Sequence, residues 1–356
     1  MLLYNSPAMR AAELSLAAQT AYAELLHATQ ARELQRSVSQ LNGSFASKRI
    51  KGRTYWYFAY RDVAGDLRQL YVGPDGPRLR RLMDRFRDEA PAPLAPLARS
   101  AGALGCATAV PRHFRIVRRL AEYGFFRAGG VLVGTHAFLC MGNGLGLRFA
   151  EGASTLDVDL AHAGRNISVA LPANVQVDVH KALESLEMGF LPIAELQGAA
   201  GATYLNPKDP ELRVDFLTPL ARGGAARSVR VPNLNVALQP LPFMEFLLQD
   251  TIQAALFCNE GAVAVNIPSP ARFAAHKLIV YGERKGAMRA KARKDLYQAA
   301  ALTEHLAMHE REALSGAWAD VLSRGPGWSK RVLQGRAALA RMRPAVPGLE
   351  CLAVRP

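Results

Sequence analysis

The sequence predicts an α+β fold. A mixed-sheet core lies between an N-terminal helix with a small β-hairpin module and a C-terminal helical region. Three observations predict it. Between residues 131 and 267, short β-prone runs alternate with helical ones. Residues 45–74 carry aromatic, alternating segments divided by a turn. After Pro268 the pattern is helical to the end, broken only at Gly325-Pro-Gly327.

Taken in order, residues 1 to about 40 are rich in Ala, Leu, Glu and Gln and read as one long helix or a broken pair. Arg53-Thr-Tyr-Trp-Tyr-Phe-Ala-Tyr60 and Leu67-Arg-Gln-Leu-Tyr-Val-Gly-Pro74 read as a hairpin, with Ser47–Gly52 as a preceding short strand. Basic and aromatic residues alternating on a small sheet can hold nucleic acid by stacking and phosphate contact. Equally, such rings can simply cover a helix. Residues 77–90 read as a charged, solvated helix, and Ala90-Pro-Ala-Pro-Leu-Ala-Pro96 as a linker. Val110–Gly124 is a helix with Pro111 in its first turn and Phe114, Val117, Leu120 and Ala121 on one face. Gly129-Gly130 breaks the chain before a strand at 131–134. A helix at about 135–145, a strand at 156–160, a helix near 173–187 and a strand near 188–196 follow. Paired strands are expected at 201–206 with 211–217 and near 227–238, with further sheet at 250–267. The expected domains are 1–92, 105–267 and 268–356.

The composition bounds the partners. A formal charge of +14 favours polyanions such as nucleoside triphosphates or nucleic acid. An Arg-rich composition gives a basic protein without any such role, so charge alone decides nothing. No apolar run is long enough for a membrane span. The N-terminus lacks a secretory pattern, and Cys106, Cys140, Cys258 and Cys351 are scattered in apolar settings. These features point to a cytoplasmic, reducing compartment.

The chemistry concentrates in Val131–Phe138 and Leu156-Asp-Val-Asp-Leu160. Strand periodicity puts Asp157 and Asp159 on one face and Leu156, Val158 and Leu160 on the other. Two carboxylates on one face of an apolar strand repel each other and resist burial. A divalent cation between them resolves both costs. Asp215, in Leu212-Arg-Val-Asp-Phe-Leu217, is a third candidate ligand, although Arg213 on the same face offers it a structural ion pair. Asp178 and Asp209 lie in polar or helix-like settings and rank below it. Gly134-Thr135, at a strand-to-helix turn, lets backbone N–H groups meet phosphate oxygens. Neighbouring His136 reads as a packed or capping residue. Lys277 lies among apolar residues of a helix opened by Ser269-Pro270, and Asp295 is placed to orient Lys277 or a nucleotide. The basic run 283–294 reads as a solvated face or a phosphate-facing segment.

A glycine turn, an Asp-x-Asp strand and a later Asp strand, in that order, resemble the polymerase-beta-type nucleotidyltransferase fold. With Lys277 and Lys294-Asp295-Leu296 added, residues of roughly 110–300 resemble a bacterial family related to the AbiEii/MenT-type toxin nucleotidyltransferases. The resemblance implies transfer of a nucleotide from a nucleoside triphosphate to a macromolecular acceptor, RNA or tRNA or protein. It implies Mg²⁺ or Mn²⁺ held by Asp157, Asp159 and Asp215, with Gly134, Thr135, Lys277 and Asp295 at the nucleotide. An antitoxin partner goes with the toxin role. The turn is Val133-Gly134-Thr135 rather than a doubled glycine, and the aromatic hairpin lies outside the toxin pattern. The alternative reading is a catalytically degenerate module that binds nucleic acid through its basic surface.

Overall fold

The computed structural model describes residues 11–39, 43–50, 52–61, 67–77, 79–80, 83, 94–149, 155–163, 177–194, 200–221, 223–224, 227–284, 289–344 and 346–353. Strand β1 (Ala12–Glu13) and helix α1 (Leu16–Ser39) come first. A three-stranded antiparallel sheet follows: β2 (Gly43–Ile50), β3 (Arg53–Arg61) and β4 (Leu67–Pro74). Helices α2 (Leu94–Ala103) and α3 (Pro111–Glu122) lead to β5 (Val131–Leu132), α4 (Gly134–Gly144), β6 (Leu147–Arg148) and β7 (Asp157–Ala161). Next come α5 (Val179–Glu184), β8 (Leu191–Ala194), β9 (Ala200–Asn206) and β10 (Asp209–Pro219). They are followed by β11 (Val229–Val231), β12 (Val236–Leu241) and α6 (Met244–Leu247). The hairpin β13 (Thr251–Cys258) and β14 (Gly261–Pro268) precedes α7 (Pro270–Glu283), α8 (Arg289–His309), α9 (Arg311–Ser323) and α10 (Pro326–Met342).

The α+β class is what the strand and helix periodicities dictate. The central sheet is mixed. β10 runs parallel to β7 along one edge, and along the other it meets β9 antiparallel and then β12 parallel. β5 closes the β7 side antiparallel, and β8 and β11 extend the sheet beyond β9 and β12. The expected sheet at 250–267 is present as a separate two-stranded hairpin. The expected linker 90–96 gives way at Leu94, where α2 begins, and its first residues lie outside those described. The helix expected at 77–90 falls largely outside the described residues as well.

Burial follows the patterns that built the elements. In α3, Phe114, Ile116, Val117 and Leu120 are fully buried, and Pro111 opens the helix where its missing N–H costs nothing. Helix α1 buries Ala18, Tyr22 and Leu25 against Ala98 and Ala101 of α2 and Phe257 of β13. The Tyr22 hydroxyl, buried there, exchanges hydrogen bonds with the Ala255 backbone at 3.2 Å. Helices α7 and α10 pack almost backbone to backbone: a Cβ at Gly335 would lie 2.2 Å from the Leu278 carbonyl oxygen. That contact anchors α7 one residue from Lys277. The cysteines are buried and free. Among the described residues no helix is long and apolar enough to cross a membrane.

Candidate active site

Strand β7 supplies the floor. Its burial alternates as its sequence does, with Val158 and Leu160 buried and Asp157 and Asp159 part-exposed on the other face. The parallel register sets Asp215 of β10 directly beside Asp159 and Arg213 beside Asp157. Residues paired across neighbouring strands share a face, with the strands about 5 Å apart. The structure therefore brings Asp157, Asp159 and Asp215 onto one face of two adjacent strands.

The three carboxylates differ in their partners. Arg213 Nε donates to Asp157 Oδ1 at 3.1 Å. The sequence offered Arg213 to Asp215. The register sends it to Asp157 instead, and Thr203 of β9 donates to Asp215 Oδ1 at 2.5 Å. Among the described residues, the Asp159 carboxylate has neither a hydrogen bond nor an ion pair. Burial first, then the charges of Asp215 and Asp157, push its pKa up to about 6, against the pull of Lys277 and Lys294.

The glycine corner stands over this acid. The Val133 amide donates to the Asp159 carbonyl, continuing the β5–β7 ladder, and α4 starts at the next residue. Gly134 has φ +64°, and a Cβ there would lie 2.1 Å from Asp159 Oδ2. Only glycine meets both conditions. The first turn of α4, whose leading N–H groups have no partner within the helix, therefore starts beside the Asp159 carboxylate.

Cations face the acids from the C-terminal helices. Lys277 of α7 donates to Asp295 of α8 at 2.9 Å, and Arg284 donates to the other oxygen of Asp295 at 2.7 Å. Asp295 is 2% exposed. Lys277 also lies over the Phe273 ring at 5.1 Å. Lys294, one residue before Asp295, donates to Thr135 Oγ1 at 2.7 Å. Its pKa is lowered by burial and then by Lys277, against the attraction of Asp159, Asp295 and Asp157. The basic run that read as solvated is thus partly turned inward at Arg284 and Lys294. Residues 285–288 lie outside the described ones.

A buried histidine pair backs the corner. His113 Nδ1 and His136 Nε2 lie 3.1 Å apart, and among the described residues the second nitrogen of each ring has no hydrogen-bond partner. Burial, then His113 and Lys294, push the His136 pKa down to about 3, and burial, then Arg112, lowers that of His113. His136 is a packed residue, as its sequence setting implied. Its pairing with His113, 23 positions away, had no local signal.

Among the described residues, no cluster of three or more His, Cys, Asp or Glu is gathered at metal-ligand spacing. The donor chemistry still suits a hard divalent cation. It is all carboxylate oxygen, and the backbone at Gly134 packs closely against Asp159 Oδ2, which only a residue without a Cβ allows.

A glycine corner over an acidic strand pair, with lysines opposite, is an arrangement that suits phosphoryl- and nucleotidyl-transfer chemistry. The family model described as nucleotidyltransferase matches residues 112–323, well over half the chain, and the protein belongs to that family. It is a transferase, and its general reaction is nucleotidyl transfer. All the site residues named above, from His113 to Asp295, fall within the matched span. No curated protein matches the chain. One solved structure, an antigenic nucleotidyltransferase-like protein from Paracoccidioides brasiliensis, is similar at 16% identity over 64% of this chain and 95% of that one. Its TM-score is 0.29.

Proposed function

We propose that the protein uses Mg²⁺ or Mn²⁺ to transfer a nucleoside monophosphate from a nucleoside triphosphate to a hydroxyl of an RNA acceptor such as tRNA. The observation that carries this is the bare Asp159 carboxylate, set beside Asp157 and Asp215 and directly under Gly134. Asp157, Asp159 and Asp215 would hold the cation. When bound, it supplies charge neutralisation at the α-phosphate and activates the attacking hydroxyl. Lys277 and Lys294 bind phosphate oxygens, and the N–H groups of Gly134 and Thr135 bind further ones. Asp295, fixed by Arg284, orients Lys277 and acts on the nucleotide through it. Thr203 holds Asp215 in place.

The division at 1–92, 105–267 and 268–356 belongs to the same reading, as does a cytoplasmic location, which the free buried thiols suit. The likeness to AbiEii/MenT-type toxins adds growth arrest and an antitoxin partner. Induced expression with and without a small neighbouring gene tests that part.

One observation favours a second reading, a degenerate nucleic-acid-binding module. Asp157 and Asp215 are already engaged by Arg213 and Thr203. The two readings separate in one experiment. Purified protein is incubated with Mg²⁺, total RNA and each nucleoside triphosphate labelled at the α-phosphate. Label in RNA that is lost in Asp159→Asn supports the transferase. Salt-dependent RNA binding without label transfer for any nucleotide supports the module.

A further inference from the structure

The N-terminal sheet has two unlike faces. On one, Phe45 and Phe58 pack edge to face at 5.2 Å, and Phe58 is 3% exposed. On the other stand three tyrosines. Tyr57 lies opposite Tyr71 in the β3–β4 register, with ring centroids 5.6 Å apart, and Tyr55 lies 6.2 Å from Tyr71. Lys48 of β2, opposite Tyr55, places its Nζ 5.0 Å over the Tyr57 ring and donates to Gln69.

Three features mark this face as more than packing. Tyr71 is 58% exposed, unusual for a ring whose purpose is burial. The rings meet at interplanar angles of 47° and 64°, so mutual stacking does not use up their faces. Among the described residues, none of the three hydroxyls forms a hydrogen bond. The buried Tyr22 and Tyr204 hydroxyls, by contrast, meet the Ala255 backbone and His180. Exposed Arg49 and Arg53 stand at the β2–β3 turn, and the whole chain carries +14.

We infer that this tyrosine face is a docking platform for single-stranded RNA. Aromatic faces beside cations fit a polymer that offers both flat bases and phosphates. A duplex hides its bases, so only an unpaired strand matches. An acidic peptide would satisfy the cations and leave the ring faces unused. The choice of RNA over DNA rests on the acceptor proposed above. The platform itself rests on the sheet alone.

The test measures binding without nucleotide or metal. Full-length protein is titrated into a fluorescein-labelled RNA strand of about 12 nucleotides, within the range such sites cover, and anisotropy is read. Tyr71→Ala is expected to weaken binding about tenfold, and Tyr57→Ala with Tyr71→Ala further still, because each stacked base contributes on that scale. Tyr71→Phe should retain the affinity, since a ring face is what is needed. Lys48→Ala should make the salt dependence shallower. The titration contains neither nucleotide nor metal and reads no transfer, so a failed transfer assay leaves this result intact. Wild-type affinity in the doubly substituted protein, with unchanged circular dichroism, would overturn the proposal. Equal or tighter binding of duplex RNA, or of a DNA strand of the same sequence, would also overturn it.

Discussion

Asp159 and Asp295 are both acids pressed into the molecule, and they are treated in opposite ways. Asp295 is 2% exposed and is held by Lys277 on one oxygen and Arg284 on the other. Asp159 has no such partner, and its nearest charges include two further carboxylates that raise its pKa to about 6. A buried acid with two cations is a structural joint whose desolvation is offset on the spot. A crowded acid left bare is costly to the fold and makes sense only when something outside the chain neutralises it. The contrast separates two kinds of acid: the strands carry a carboxylate without a counter-ion, and the helices carry one held between two cations.

The sharpest way to break the comparison is to neutralise both acids in turn. Asp159→Asn is expected to lower nucleotidyl transfer by about 10³-fold or more, roughly 4 kcal/mol of barrier, while leaving the fold intact. Label incorporation beside a thermal melt checks both parts, and retained activity would remove Asp159 from the chemistry. Asp295→Ala should do the reverse first and destabilise the protein by about 3 kcal/mol, because two cations lose their shared counter-ion. Urea unfolding measures it, and a loss below about 0.5 kcal/mol would mean that Asp295 is no joint.

Gly134→Ala sharpens the boundary between the two regions. A methyl at φ +64° and 2.1 Å from Asp159 Oδ2 must move the turn or the acid. The expected cost is about 2 kcal/mol of stability, with weaker triphosphate binding by calorimetry. Unchanged affinity would show that the corner does not face the nucleotide.

The smallest effect is in pH. Asp159 has a folded pKa above its ordinary 3.8, near 6, so the folded state binds the proton more tightly than the unfolded state. Stability from this group is therefore greatest below about pH 4 and falls as pH rises through about 6; the full shift corresponds to about 3 kcal/mol, which solvent screening of the part-exposed carboxylate reduces to on the order of 1–2 kcal/mol. Asp159→Asn should flatten that part of the profile. Added Mg²⁺ should release a proton near pH 6, read as acidification in weakly buffered solution. No proton release, with a pH profile equal to that of the variant, would place the carboxylate in ordinary solvent.

Much of this was legible from local pattern. Period-two alternation placed Asp157 and Asp159 on one face, and the apolar run around Asp215 made it a strand residue. The glycine at a strand-to-helix boundary was visible as a corner. The pairing of the charges was not. Arg213 and Asp215 share a face in their own strand, yet the register of β10 on β7 sends Arg213 to Asp157. Thr203 reaches Asp215 only because β9 folds back on β10. Lys294 meets Thr135 across 159 positions of chain.

The amino-acid order by itself determined which residues could carry this chemistry and which side of each strand they occupy, since backbone periodicity is a local property. Tertiary structure alone decided which acid is quenched and which stays bare. That choice depends on strand register and helix docking, where one residue of slip would exchange every partner.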